Sequence, residues 1–129
     1  MHQFPSLVTA LSLMVYLVCT INVGPARRKY QIEPPAVSGN EHFERVLRVQ
    51  QNTVEQLIIF LPSLWLFSIF VSDFWGGIVG LAWVIGRIFY AWGYYQAPNK
   101  RFIGFGLSSL STMVLLAGSF IGISLSWLS

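Results

Sequence analysis

Arg48, Asn52 and Glu55 follow one another at i, i+4 and i+7, which is one face of an α-helix. Arg87, Tyr90 and Tyr94 form a second set at i, i+3 and i+7, with Arg101 just beyond it and Arg27 and Arg28 in another loop expected on the same side. Arginines bind anions through paired N–H groups, a glutamate takes an ammonium, and the Gln50 and Asn52 amides add neutral hydrogen bonds. A small zwitterion with two carboxylates and one ammonium would satisfy all of them, and many peptides and metabolites fit that description. A structural alternative stands beside this one. Arg and Glu near helix ends can snorkel, and Arg87 with Glu55 could form a buried ion pair. Arg45, Lys29 and Lys100 are expected to snorkel, whereas Arg48, Asn52 and Glu55 are expected to line a site. An ionisable group inside a span costs a few kcal/mol and more often borders a cavity than faces lipid. Tyr90 and Tyr94 suit a site and an interfacial aromatic belt equally well.

The elements that position these residues are apolar. Of 129 residues 54% are hydrophobic and 10% charged, against roughly a quarter charged in soluble domains, and the mean hydropathy is +0.60. The single Cys19 leaves no internal disulfide and no cysteine-rich metal site, and reads as packing. The isoelectric point near 9.4 reflects an excess of basic residues whose placement relative to a membrane accounts for them without a nucleic-acid partner. A hydrocarbon core about 30 Å thick takes roughly 20 helical residues. Four runs meet that length, giving an expectation of one domain over 1–129 with spans at about 4–23, 43–71, 74–97 and 102–128. The fold expected is an all-α integral membrane bundle of four transmembrane helices. The first run has no Lys or Arg ahead of it and is kept as a span, not as a secretory signal.

Gly24, Pro25, Pro34 and Pro35 are expected to break the chain between spans one and two, and Ser38 with Glu41 reads as a capping box opening the second helix. That helix, from Glu41 to Val71, would be about 46 Å long and would project past the hydrocarbon at its start. Ser72 or Asp73 can cap the third helix, Pro98 ends it, and Pro62 is expected to kink the second. The pairs Gly76/Gly80 and Gly118/Gly122 have the spacing of close helix packing. Loops one and three carry Arg27, Arg28, Lys29, Lys100 and Arg101, while the opposite side has no Lys or Arg. The positive-inside rule therefore puts those loops in the cytosol and both termini outside.

The segments "FERVLRVQQNTVEQ" and "GLAWVIGRIFYAWGYY", the following "NKR" and the loop "ARRKYQIEPP" resemble the MAPEG family, the membrane-associated proteins of eicosanoid and glutathione metabolism. The likeness covers essentially the whole chain and is nearest to the microsomal glutathione transferases and the cysteinyl-leukotriene synthase. It implies a homotrimer binding glutathione between neighbouring subunits near the cytosolic face. Matched positions would have Arg27, Arg48, Gln50, Asn52, Glu55, Tyr90 and Tyr94 hold glutathione and Arg101 stabilise its thiolate. The implied activity is glutathione S-transfer, with glutathione-dependent lipid peroxidase activity beside it. The partners would be membrane lipid and a lipophilic electrophile or lipid hydroperoxide, and no metal is implied. Gln56 stands where eukaryotic members carry a tyrosine or other apolar residue, and the proline that follows closely there is displaced to Pro62. The "TVEQL" wording resembles bacterial members, favouring a bacterial plasma membrane over the endoplasmic reticulum. The family also implies an alternative, a non-catalytic lipid-binding scaffold resembling the 5-lipoxygenase-activating protein, which lacks an arginine at the place of Arg101. A small four-span efflux transporter fits the length, but its resemblance would require a glutamate in the first span, which has none.

Overall fold

The computed structural model describes residues 1–129 and is all-helical. The elements are α1 (Gln3–Tyr30), α2 (Glu41–Phe70), α3 (Asp73–Gln96), a 3-10 turn (Pro98–Arg101) and α4 (Phe102–Leu128). Each of the four long helices is long and apolar enough to cross a membrane. α2 packs against the other three, and α1 also touches α3.

Large apolar side chains on the outside show what solvent the bundle expects. Ile58 is 70% exposed, Trp92 64% and Phe120 67%, a surface that water would not tolerate at this density and a bilayer requires. Inside, Val8, Leu57, Phe60, Leu64, Phe67, Trp83, Val84 and Leu115 form the main core, with Phe60 and Trp83 stacked at 4.1 Å between centroids. Cys19 is buried beside Val49, Tyr90 and Ala91, as expected of a packing residue.

Two local expectations are corrected. α1 does not stop at Gly24–Pro25 but continues through Pro25 to Tyr30. Proline removes one backbone N–H, while the added turns seat Ala26 against Ile32, Phe43 and Leu47, and the loop begins only where Gln31 turns left-handed. The second helix opens at Glu41 as expected, yet its cap is Asn40, whose side chain accepts from the His42 and Phe43 N–H groups. Glu44 reaches back to the Gly39 N–H at 3.2 Å, so the box is shifted and Ser38 takes no part in it. α2 runs on through Pro62, Ser72 caps α3 through the Trp75 N–H, and α3 ends just before Pro98.

The paired glycines pack within the chain, Gly76 against Phe67 and Ser68, and Gly118 against Phe67. The closest approach of two helices is at Gly104, where a Cβ would collide with the backbone of Tyr90, and at Gly86, where it would lie 2.9 Å from the Ser108 nitrogen. α3 and α4 are thereby joined backbone to backbone directly beneath Tyr90. Gly104→Ala should destabilise the protein by about 1–3 kcal/mol through this overlap. Thermal midpoints in detergent check it against Gly106→Ala, whose site is open space and whose midpoint should not fall.

Candidate functional site

The first turns of α2 carry most of the polar chemistry. With 30 residues the helix is about 45 Å long, so its charged start lies outside a hydrocarbon core that its apolar second half crosses. Arg48, Gln51, Asn52 and Glu55 share a face by the 100° advance of each helical residue. A cavity of about 380 Å³ opens at the start of that face, lined by Glu41, Glu44, Arg45, Arg48, Gln51 and Tyr94, with Asn52 and Glu55 beyond its lining, a size within the usual range of ligand clefts.

Arg45 was expected to snorkel, and the structure corrects this. It is 7% exposed, donates from Nη2 to His42 Nδ1 at 2.6 Å, and has Glu41 Oε1 3.4 Å from Nη1. One turn before Arg48, it sits over the same face and is held by its own helix. Lys29 and Lys100 are exposed as expected, Lys100 donating to Gln96.

From α3, Tyr94 reaches the cavity, whereas Tyr90 is buried beneath it, and the two rings meet edge to face at 5.6 Å. Arg101 comes from the 3-10 turn. Its Nη1 donates to the Pro98 carbonyl, and its guanidinium carbon lies 5.4 Å from the Tyr94 ring centroid and 4.5 Å from that of Phe102. Tyr94 thus lines the cavity with Arg45, Arg48, Glu41 and Glu44, and Arg101, outside that lining, rests against its ring. Glu55 is exposed and forms no ion pair, so it is free to take an ammonium. The alternative pairing with Arg87 is not formed, because Arg87 donates to Asn52 Oδ1 at 2.8 Å and to Ser108 Oγ at 3.2 Å.

Gln50 and Arg27 lie elsewhere. Gln50 is about 200° around the helix from Arg48 and its Nε2 is 3.5 Å from the Tyr16 hydroxyl of α1. Arg27 donates to the Ala36 carbonyl at 2.8 Å and lies over the Phe43 ring. It borders a separate hollow of about 720 Å³ with Arg28, Gln31 and Glu33. One chain thus brings Arg48, Tyr94 and Arg101 together, with Asn52 and Glu55 on the same helix face, and leaves Arg27 and Gln50 on its other side. Of the lining residues only Arg48 and Tyr94 were anticipated; the polar ones missed are Glu41, Glu44, Arg45 and Gln51. Their signal was available, since Arg45 and Gln51 stand three residues from Arg48, Glu44 four and Glu41 seven, all helical same-face spacings.

The arrangement can bind a small anion-bearing peptide at a polar rim while the helices below face lipid. The model of the MAPEG family matches residues 5–121. Human microsomal glutathione S-transferase 2 is 40% identical over 122 residues, covering 94% of this chain and 82% of its own. Guinea-pig (Cavia porcellus) leukotriene C4 synthase is 30% identical over 116 residues, 90% of this chain and 77% of that one. An uncharacterised protein of the cyanobacterium Synechocystis is 58% identical over 120 residues, 93% of this chain and 88% of its own.

Proposed function

The chain belongs to the MAPEG family, and on that premise we propose that it is a membrane-bound glutathione S-transferase that also reduces lipid hydroperoxides. The observation that carries the reading is the convergence of Arg48, Tyr94 and Arg101 at one end of a membrane bundle, with the unpaired Glu55 on the same face of α2. Glutathione has the two carboxylates and one ammonium that this set can hold, and the named relatives, a glutathione S-transferase and a leukotriene C4 synthase, support that choice. Arg48, Asn52 and Glu55 would bind the peptide with Tyr94, Tyr90 would support Tyr94 from beneath, and Arg101 would face the sulfur.

The chemistry starts from the thiolate, which is the nucleophile. Its lone pair attacks an electrophilic carbon supplied from the bilayer, the new C–S bond forms, and halide or another leaving group departs with the bonding pair. With a hydroperoxide the thiolate attacks the terminal oxygen, the O–O bond breaks, and the departing alkoxide takes a proton to give the alcohol. A second glutathione then displaces water from the sulfenic acid, so two thiols become one disulfide. Holding both reactants at the boundary adds proximity to nucleophile activation.

Arg27 and Gln50 enter this site from a neighbouring subunit in a homotrimer. Support comes from their position on the opposite side of α2 from Arg48. Loops one and three face the cytosol, on the strength of Arg27, Arg28, Lys29, Lys100 and Arg101. The bacterial plasma membrane is the proposed location, supported by the cyanobacterial relative.

The protein purified in detergent should conjugate glutathione to a lipophilic aryl halide, reduce a lipid hydroperoxide, and show ultraviolet thiolate absorption with glutathione bound. Absence of both turnover and a thiolate signal would end the enzyme reading and leave lipid binding as the function to measure. Glu55→Gln removes the charge facing the ammonium and nothing at the sulfur. It should raise KM for glutathione by about tenfold with kcat within about twofold, and the reverse split in steady-state kinetics would place Glu55 in the chemical step.

A further inference from the structure

Arg87 is fully buried, at 0% exposure, in the middle of a helix that spans the bilayer, and no carboxylate pairs with it; the ion pairs of the chain are His2–Asp73 and Arg45–Glu41. Its Nε donates to Ser108 Oγ and its Nη1 to Asn52 Oδ1, while Nη2 is buried without a partner. The Tyr90 ring lies 4.1 Å from its guanidinium carbon and the Trp83 ring 5.9 Å. A cation kept at such a depth without a counterion is costly, which asks what it does.

The answer lies in the one-way chemistry of the guanidinium. It has five N–H donors and no acceptor, so the group it meets on Asn52 must be the carbonyl oxygen. The orientation of an asparagine amide is ordinarily open to a flip, and here the neighbour settles it. With Oδ1 taken, Nδ2 faces away from Arg87 and makes no hydrogen bond within the chain. Asn52 therefore presents its Nδ2 donors as the unpartnered end of the amide, on the face that also carries Arg48 and Glu55. The same guanidinium stacks on Tyr90, whose ring meets Tyr94 edge to face.

We propose that Arg87 is a positioning residue of the glutathione site, holding the Asn52 amide so that Nδ2 donates toward a carbonyl or carboxylate oxygen of the peptide. The inference rests on the glutathione reading above. It assigns Arg87 a part in ligand recognition although its buried side chain need not touch the ligand. Ser108 joins it, holding the far edge of the guanidinium from α4.

Asn52→Asp separates recognition from folding, because an aspartate would satisfy Arg87 better than asparagine does while presenting an acceptor where the ligand needs a donor. Its thermal midpoint in detergent should equal or exceed the wild type, while KM for glutathione rises about tenfold or more with kcat within about threefold. In a double-mutant cycle, Arg87→Met alone should raise KM about tenfold, and on an Asn52→Ala background it should add little. Arg87→Lys, which retains one donor for Oδ1, should recover part of the loss. Wild-type glutathione affinity in Asn52→Asp would overturn the proposal, and so would an Arg87→Met effect undiminished by Asn52→Ala. A wild-type protein that does not bind glutathione would instead remove the transferase reading and this inference with it.

Discussion

Arg101→Ala is expected to lose on the order of 50-fold in conjugation rate at pH 6.5 and progressively less as the pH rises past about 9. A free thiol titrates near 8.5, and bringing it to about 6.5 takes roughly 2.7 kcal/mol of preference for the anion. One guanidinium in a partly desolvated cleft can supply that. Arg101 is well placed to do so, being held by the Pro98 carbonyl and resting on the rings of Tyr94 and Phe102. Because the cation stabilises the deprotonated form, removing it moves the acidic limb of the pH–rate profile upward. Above the unperturbed value both enzymes hold thiolate, and the more basic sulfur of the variant is the better nucleophile. The N-terminus of α4 begins at the next residue without a side-chain cap, and its positive end sustains part of the effect. Arg101→Lys should lie between the two. A pH-independent loss would instead make Arg101 a ligand-binding group with no influence on the thiol.

Two variants that are each inactive should restore activity when combined. One chain carries Arg48→Ala with Arg101→Ala, and the other carries Arg27→Ala with Gln50→Ala. In one chain these pairs lie on opposite sides of α2, so in a cyclic assembly each site takes one set from each of two adjacent subunits. Random mixing at equal amounts leaves about a quarter of the sites with both sets intact, by the head-to-tail geometry of such rings. The unfractionated mixture should therefore recover about a quarter of wild-type conjugation, and mixed trimers isolated through two different affinity tags, each with one intact site in three, about a third. Activity no higher than that of either variant alone would place the whole site within one chain.

Much of the bundle was legible because apolar runs near the bilayer thickness are long, and four of them are four helices. Helix ends were less so. Pro25 is a breaker by propensity, but the burial of Ala26 against α2 is a tertiary gain invisible locally. Asn40 displaced Ser38 as the cap because the Glu41 start leaves Asn40 one residue ahead of the helix. The Arg48, Asn52 and Glu55 face was readable from helical periodicity alone. The same periodicity separates Gln50 from it by about 200°, and a single chain keeps that separation. Which α2 group Arg87 would meet was not readable, since Asn52 and Glu55 are one turn apart and the choice depends on the register between α2 and α3.

The position of α2, charged turns outside the hydrocarbon and apolar turns within it, has a kinetic consequence. On the proposed function, glutathione would reach the cavity from bulk water and saturate according to its molarity. A lipophilic second reactant saturates according to its mole fraction among lipid or detergent molecules. Adding empty micelles at fixed total electrophile should therefore slow turnover by surface dilution, while leaving the half-saturating molarity of glutathione where it was.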